Sequence, residues 1–207
     1  MQAASQTDVS IYRTSSEDAE RLNNIEGRAQ AITVMSPVKP FWSLWLRVLF
    51  WLTRRFPSIT GPLRQLSFIH FARWNLVTRI PFNGSPQQQE RLHYTYLLFT
   101  SNFNGTWDQY IDAFSYTVAR QMSLIWGSSY GFPGPMPVQP FKDYIRRNEF
   151  LANHYYSAYP GASTTNIRSA LELKRQFDVF QKEAGQMTSE EFQKCYRAFL
   201  TRVQRCL

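Results

Sequence analysis

Residues 67–79 read SFIHFARWNLVTR, residues 92–103 read LHYTYLLFTSNF, and PFNGSPQQQE at 81–90 lies between them. Aromatic and β-branched residues at this density favour extended chain. Asn83-Gly84 and the flanking prolines mark a hairpin loop longer than the tight two-residue kind. The two stretches are therefore expected as antiparallel neighbours. Upstream, Ala31-Ile32-Thr33-Val34-Met35-Ser36 alternates until Pro37 and Pro40 stop it, which predicts a leading strand over 31–38. Segment 41–56 places Phe41, Leu44, Trp45, Val48, Leu49 and Leu52 at three- and four-residue spacings before Pro57, which predicts a helix with that stripe on the sheet.

Downstream, Thr106 with Gln109 forms a capping-box pattern. Tyr110, Ile111, Phe114, Val118, Met122 and Ile125 give one apolar face up to Gly127, so one helix is expected there. The stretch 130–150 opens with YGFPGPMPVQP and reads as an insertion, with a short amphipathic helix over 141–150. HYYSAY at 154–159, ended by Pro160-Gly161, predicts the closing strand. Ser163 or Thr164 then caps a helix to about residue 184, and Thr188 with Glu191 opens a last one. The order strand, helix, strand, strand, helix, strand predicts an α+β fold, a ferredoxin-like βαββαβ sandwich with a C-terminal helical extension. Residues 1–29 are expected as a polar, partly disordered leader, 30–160 as the α+β domain and 161–207 as the helical tail.

The 207 residues, 43% hydrophobic and 16% aromatic, suit one domain with a substantial core. A net charge of +8, with eighteen arginines among the basic residues, points to anionic partners such as lipid head groups or phosphate. The two cysteines, Cys195 and Cys206, are too far apart along one predicted helix to bridge. The start of the chain lacks a basic segment followed by an apolar run, so no secretory signal is expected, and cytoplasm is the expected compartment, with membrane association open. The longest apolar stretch, FWSLWLRVLFWL at 41–52, is too short to span a bilayer and is interrupted by Arg47.

The motifs Arg73-Trp74, LLFTSNFNGTW at 97–107, FKDYIRR at 141–147 and HYYSAYP at 154–160 resemble an uncharacterised bacterial group of the dimeric α+β barrel superfamily, over about residues 30–175. That superfamily includes chlorite dismutases, dye-decolourising peroxidases and antibiotic-synthesis monooxygenases. The sheet is expected to be covered by helices on one face only, so its other face needs a cover, a second subunit's sheet or the C-terminal helices, and the resemblance implies more about fold than about reaction. The chain has Asn104-Gly105 where the group carries Asp-Gly, so no carboxylate is available at that turn.

The candidate ligand residues are Arg73, Asn102, Asn104, His154, Tyr156 and Tyr159. Arg73 falls on the strand face opposite His70 and needs a carboxylate, carbonyl or anionic ligand, with Asn102, Asp108 and Asp112 as neighbours. Asn102 and Asn104 stand where a helix N-terminus can bind an anion or simply be capped. His154 is the one candidate haem ligand, against its reading as an ordinary strand histidine; no cofactor is expected, and the histidine spacing supports no metal. Tyr94, Tyr96, Tyr155, Tyr156 and Tyr159 suit an aromatic cavity or a subunit interface. Trp42, Leu46, Phe50 and Trp51 add apolar groups outside the sheet stripe, beside Lys39, Arg47, Arg54 and Arg55. That mixture fits a helix in a membrane interface or one buried on two sides. Two functions follow as expectations. The first is a non-catalytic binding or interaction module, peripheral at an anionic membrane or docked in an assembly, as a homodimer or on a partner protein. The second is an oxidoreductase-like enzyme, haem-dependent or a cofactor-free monooxygenase, using Arg73, Asn102 and His154. Nucleic acid is not an expected partner, because no recognition motif accompanies the dispersed basic residues.

Overall fold

The hairpin expectation is met: Ile69–Val77 and Thr95–Asn104 pair antiparallel, with Arg73 opposite Thr100 and Trp74 opposite Phe99. The computed structural model describes residues 23–206 apart from 57, 59, 60, 62 and 64, so residues 1–22 of the expected leader lie outside it. Among the described residues the chain is α+β, with one four-stranded antiparallel sheet and six helices. The strands are β1 (Ile25–Glu26), β2 (Ala29–Val38), β3 (Ile69–Val77) and β4 (Thr95–Asn104), in the order β1-β2-β4-β3. The helices are α1 (Trp42–Arg55), α2 (Trp107–Thr117), α3 (Ala119–Trp126), α4 (Val138–Asn148), α5 (Thr164–Ala184) and α6 (Ser189–Val203). One compact unit ends at Pro160 and a second begins at Gly161.

Side-chain alternation sorts the sheet into two faces. Ile32, Val34, Val38, Leu97, Phe99 and Phe103 are buried on one of them. Against that face pack Leu46 and Leu49 of α1, Tyr110 and Phe114 of α2, Trp126 of α3, and Phe141 and Tyr144 of α4. Phe103 stacks on Tyr110 with ring centroids 3.9 Å apart, and Trp126 meets Phe99 edge-on at 5.2 Å. The opposite face carries Thr33, Thr100 and Arg73 in one row and Ala31, Asn102 and Phe71 in the next. Phe71, Arg73 and Asn75 are exposed there.

Two expectations are corrected. Residues 154–159 form no strand, because the outer edge of β2 where a closing strand would pair is already occupied in pieces. Ala31 N–H donates to the Asn24 carbonyl, Phe150 N–H to Thr33, Tyr130 N–H to Pro37, and Lys39 N–H to Ser128. Residues 23–29, the described end of the expected leader, join the sheet edge. Gly27, at φ 60°, turns β1 back onto β2, and Arg28 N–H donates to the Pro160 carbonyl at 2.9 Å. A Cβ on Gly27 would lie 2.1 Å from that carbonyl oxygen, so only glycine admits the close approach. Finally, the single helix expected over 106–127 is broken at Val118 (φ −127°, ψ 31°) into α2 and α3. The β-branched pair Thr117-Val118, stiff at χ1, is where the break falls.

The unit from Gly161 is a helical hairpin. Ser163 caps α5 by accepting from Asn166 N–H, and a reciprocal capping box of Thr188 and Glu191 starts α6. Phe180 stacks on Phe199 at 5.0 Å between the two helices. The Arg175 guanidinium, with the Gln176 amide, holds the Glu172 carboxyl down to about 2. Cys195 and Cys206 are free.

Candidate functional site

Of the sequence candidates, Asn102 has a defined polar partner on the open sheet face. Its amide donates to the Tyr155 hydroxyl at 2.5 Å, pinning the 150s segment to β4. Tyr155 fills the place expected of His154, which is exposed in coil. Tyr156 and Tyr159 are each 76% exposed. Tyr94 stands just before β4, against His93 at 4.7 Å and Tyr130 at 5.5 Å. Asn104 spends its amide on the Arg28 carbonyl at 2.8 Å. The helix N-terminus behind it is closed by its own cap: Thr106 accepts from Gln109 N–H and the Gln109 side chain accepts from Thr106 N–H, both at 3.3 Å. Capping, rather than an open anion site, is what that turn provides.

Arg73 is exposed in the row that continues through Thr100 to Thr33, and no carboxylate pairs with it among the described residues. Its expected neighbours Asp108 and Asp112 are engaged elsewhere, because α2 presents them to α4. Lys142 bridges them at 3.0 and 2.8 Å, and Arg146 stands 3.9 Å from Asp108. The hydrogen bonds that the Lys142 ammonium donates to Asp112 and then to Asp108 hold its pKa above the ordinary 10.5. With the folded pKa raised, this stabilisation is complete below the unfolded value and fades as pH rises through the folded one. Lys142→Met should therefore cost about 1 kcal/mol at neutral pH, mostly from leaving two carboxylates one helical turn apart, with solvent screening limiting it. Urea unfolding of both proteins at neutral and strongly alkaline pH checks this: the gap should close only in the alkaline series.

The same α2–α4 contact forms a small polar cleft of about 190 Å³, lined by Asn24, Gln30, Trp107, Asp108, Arg146 and Glu149. The Trp107 indole N–H donates to Glu149 at 3.1 Å, and the Arg146 guanidinium lies 4.7 Å over its ring. Sequence reading passed over these groups because the partners lie some forty residues apart on different helices. In the core, burial pushes up the Tyr110 and Tyr144 hydroxyls, so both phenols stay protonated at neutral pH. Among the described residues no group of histidine, cysteine and carboxylate side chains is placed to hold a metal ion.

Helix α1 carries a broad exposed apolar surface that is only in part the one expected, because Trp42 and Trp51 are exposed whereas Leu46 and Phe50 turn inward. Leu46 is fully buried and Phe50 packs on the core. Leu44 and Val48, expected on the sheet, point outward at 67% and 43% exposure, together with Trp51 at 63%. Trp42 is 46% exposed, and Trp45, 39% exposed, donates its indole N–H to the Leu124 carbonyl at 3.3 Å. Two apolar stripes lie on opposite sides of this helix, and periodicity alone cannot say which one the sheet takes. Arg47, Arg54 and Arg55 are exposed around the outward stripe, whereas Lys39 is tied to the Gly127 carbonyl at 3.2 Å. No described helix is long and apolar enough to cross a membrane.

The charge around α1 is one-sided. Between Glu26 and Glu90 the chain has eight basic residues and no acidic one, while the rest carries fifteen of each. The net charge thus belongs to the segment that contains α1. No protein-family model, curated protein or solved structure matches this chain.

Proposed function

We propose that this chain is a non-catalytic binding module that associates with the surface of an anionic membrane through α1. The observation that carries it is the outward stripe Leu44, Val48 and Trp51, edged by Arg47, Arg54 and Arg55 on a helix without a single carboxylate. An amphipathic helix of this kind lies in the head-group region with its apolar side in the acyl boundary. Tryptophan favours that depth, and arginines reach lipid phosphates along their apolar stems. Each basic residue near an anionic leaflet adds about 1 kcal/mol, an attraction that salt screens.

The intact chain should co-sediment with phosphatidylcholine vesicles containing phosphatidylserine, less with phosphatidylcholine alone, and less again at raised salt. Equal association with both vesicles, or none with either, would remove the proposal. The sheet order β2-β4-β3 supports reading the core as ferredoxin-like with its closing strand replaced by β1 and the turns on the β2 edge. On that reading the resemblance to the dimeric α+β barrel superfamily concerns fold, and the open face around Arg73 and Asn102 is a second binding surface.

A further inference from the structure

Phe41 is an exposed aromatic held in a backbone conformation that bulky residues rarely adopt. It stands at the N-cap of α1 with φ 67° and ψ −21°, makes no side-chain cap hydrogen bond, and is 93% exposed. Among the described residues it alone has a positive φ without being glycine. The left-handed region is disfavoured for a residue of this shape, and positions held there cluster where a function needs them.

The turn that presents it is rigid. Lys39 N–H donates to the Ser128 carbonyl at 2.9 Å, Trp42 N–H to the Lys39 carbonyl at 3.2 Å and Leu44 N–H to the Phe41 carbonyl at 3.3 Å. Pro40 restricts the chain just before it. These bonds fix the backbone from which the ring leaves. The ring projects from the end of α1 where Leu44 and Trp45 are also exposed. At the other end the last turn carries Arg54 and Arg55. The exposed stripe Leu44, Val48 and Trp51 thus runs from Phe41 to a last turn that carries guanidinium groups, which suits a helix lying in the head-group layer.

We propose that Phe41 is a wedge that enters the acyl layer of an anionic bilayer while Arg54 and Arg55 remain on the lipid phosphates. This rests on the membrane reading of α1 and adds which residue goes deepest and why its backbone is held as it is. The occupant is a lipid bilayer rather than a protein groove, because the arginines surround an apolar patch with no acidic residue on the same helix.

The test is Phe41→Asn, since asparagine tolerates the left-handed conformation and leaves the arginines in place. Partition onto vesicles of phosphatidylcholine and phosphatidylserine should fall at least about tenfold, through the lost apolar burial. The Tm should stay level or rise, because the strained aromatic is gone, and the salt dependence of the remaining binding should be retained. Phe41→Trp should bind at least as well as the natural chain. If Phe41→Asn partitions within about twofold of the natural chain, the wedge is wrong while the membrane reading stands. If its Tm falls in step with binding, the residue is structural and the wedge is overturned. If the natural chain itself does not bind these vesicles, the membrane reading fails, and the wedge with it.

Discussion

Replacing both Leu44 and Trp51 with glutamate should weaken association with phosphatidylserine-containing vesicles by at least about a hundredfold, with little change in melting temperature. Both side chains are more than half exposed, so neither substitution opens a cavity or buries a charge. On a bilayer the same positions would enter the acyl boundary, where a buried leucine or tryptophan is each worth about 2 kcal/mol. Two carboxylates would remove that gain and add repulsion from the anionic head groups. Leu46→Ala separates the two faces of the helix. Leu46 is fully buried, so its truncation should lower stability by about 3 kcal/mol and leave binding by the folded fraction intact. Vesicle co-sedimentation and thermal unfolding of these variants check both statements.

Trp126→Ala should be the most damaging single change in the core, costing about 4 kcal/mol and roughly 10 °C in Tm. Trp126 is 2% exposed and closes α3 against the sheet, where its ring meets Phe99 at 5.2 Å and Trp74 at 6.4 Å. Trp74 and Phe99 face each other across β3 and β4 at 5.0 Å, so one ring from a helix locks a cross-strand pair. Removing the indole leaves a void that rigid aromatic neighbours fill poorly. A total stability of about 5–15 kcal/mol would lose a large fraction. Chemical denaturation at constant slope measures it.

The parts of this fold that were legible in the sequence are those that neighbouring residues determine. Strands β2, β3 and β4 alternate as they must when one sheet face is buried, and Asn83-Gly84 marks the connection between two of them. Thr106 with Gln109 and Thr188 with Glu191 announced helix starts that the structure shows as capping boxes. What was not legible depends on partners distant in sequence. HYYSAY has the composition of a strand, but a strand needs a free edge, and the edge of β2 is taken by Asn24, Ser128, Tyr130 and Phe150. The carboxylates expected near Arg73 sit on α2, and only the docking of α4 shows that Lys142 holds them. The orientation of α1 was undetermined for a related reason: with apolar residues on both sides, the side facing the core is chosen by the fit against β2 and α3.

The candidate ligand residues divide in the same way. Strand alternation alone puts Arg73 on the open face, where the structure also has Asn102 in the neighbouring row. His154, Tyr156 and Tyr159 were tied to a strand that does not form, and their place on that face is taken by Tyr155.

The most direct test of the account is tryptophan fluorescence of the intact chain with anionic vesicles whose acyl chains carry bromine. Trp42, Trp45 and Trp51 are the partly exposed indoles of α1, whereas Trp126 is deep in the core. If α1 lies in the bilayer interface, binding should shift the emission to the blue and brominated chains should quench it, with Leu44→Glu/Trp51→Glu showing neither. Association with the vesicles that leaves the emission unshifted and unquenched would contradict the account, because it would mean that charge alone holds the protein there and α1 stays in water.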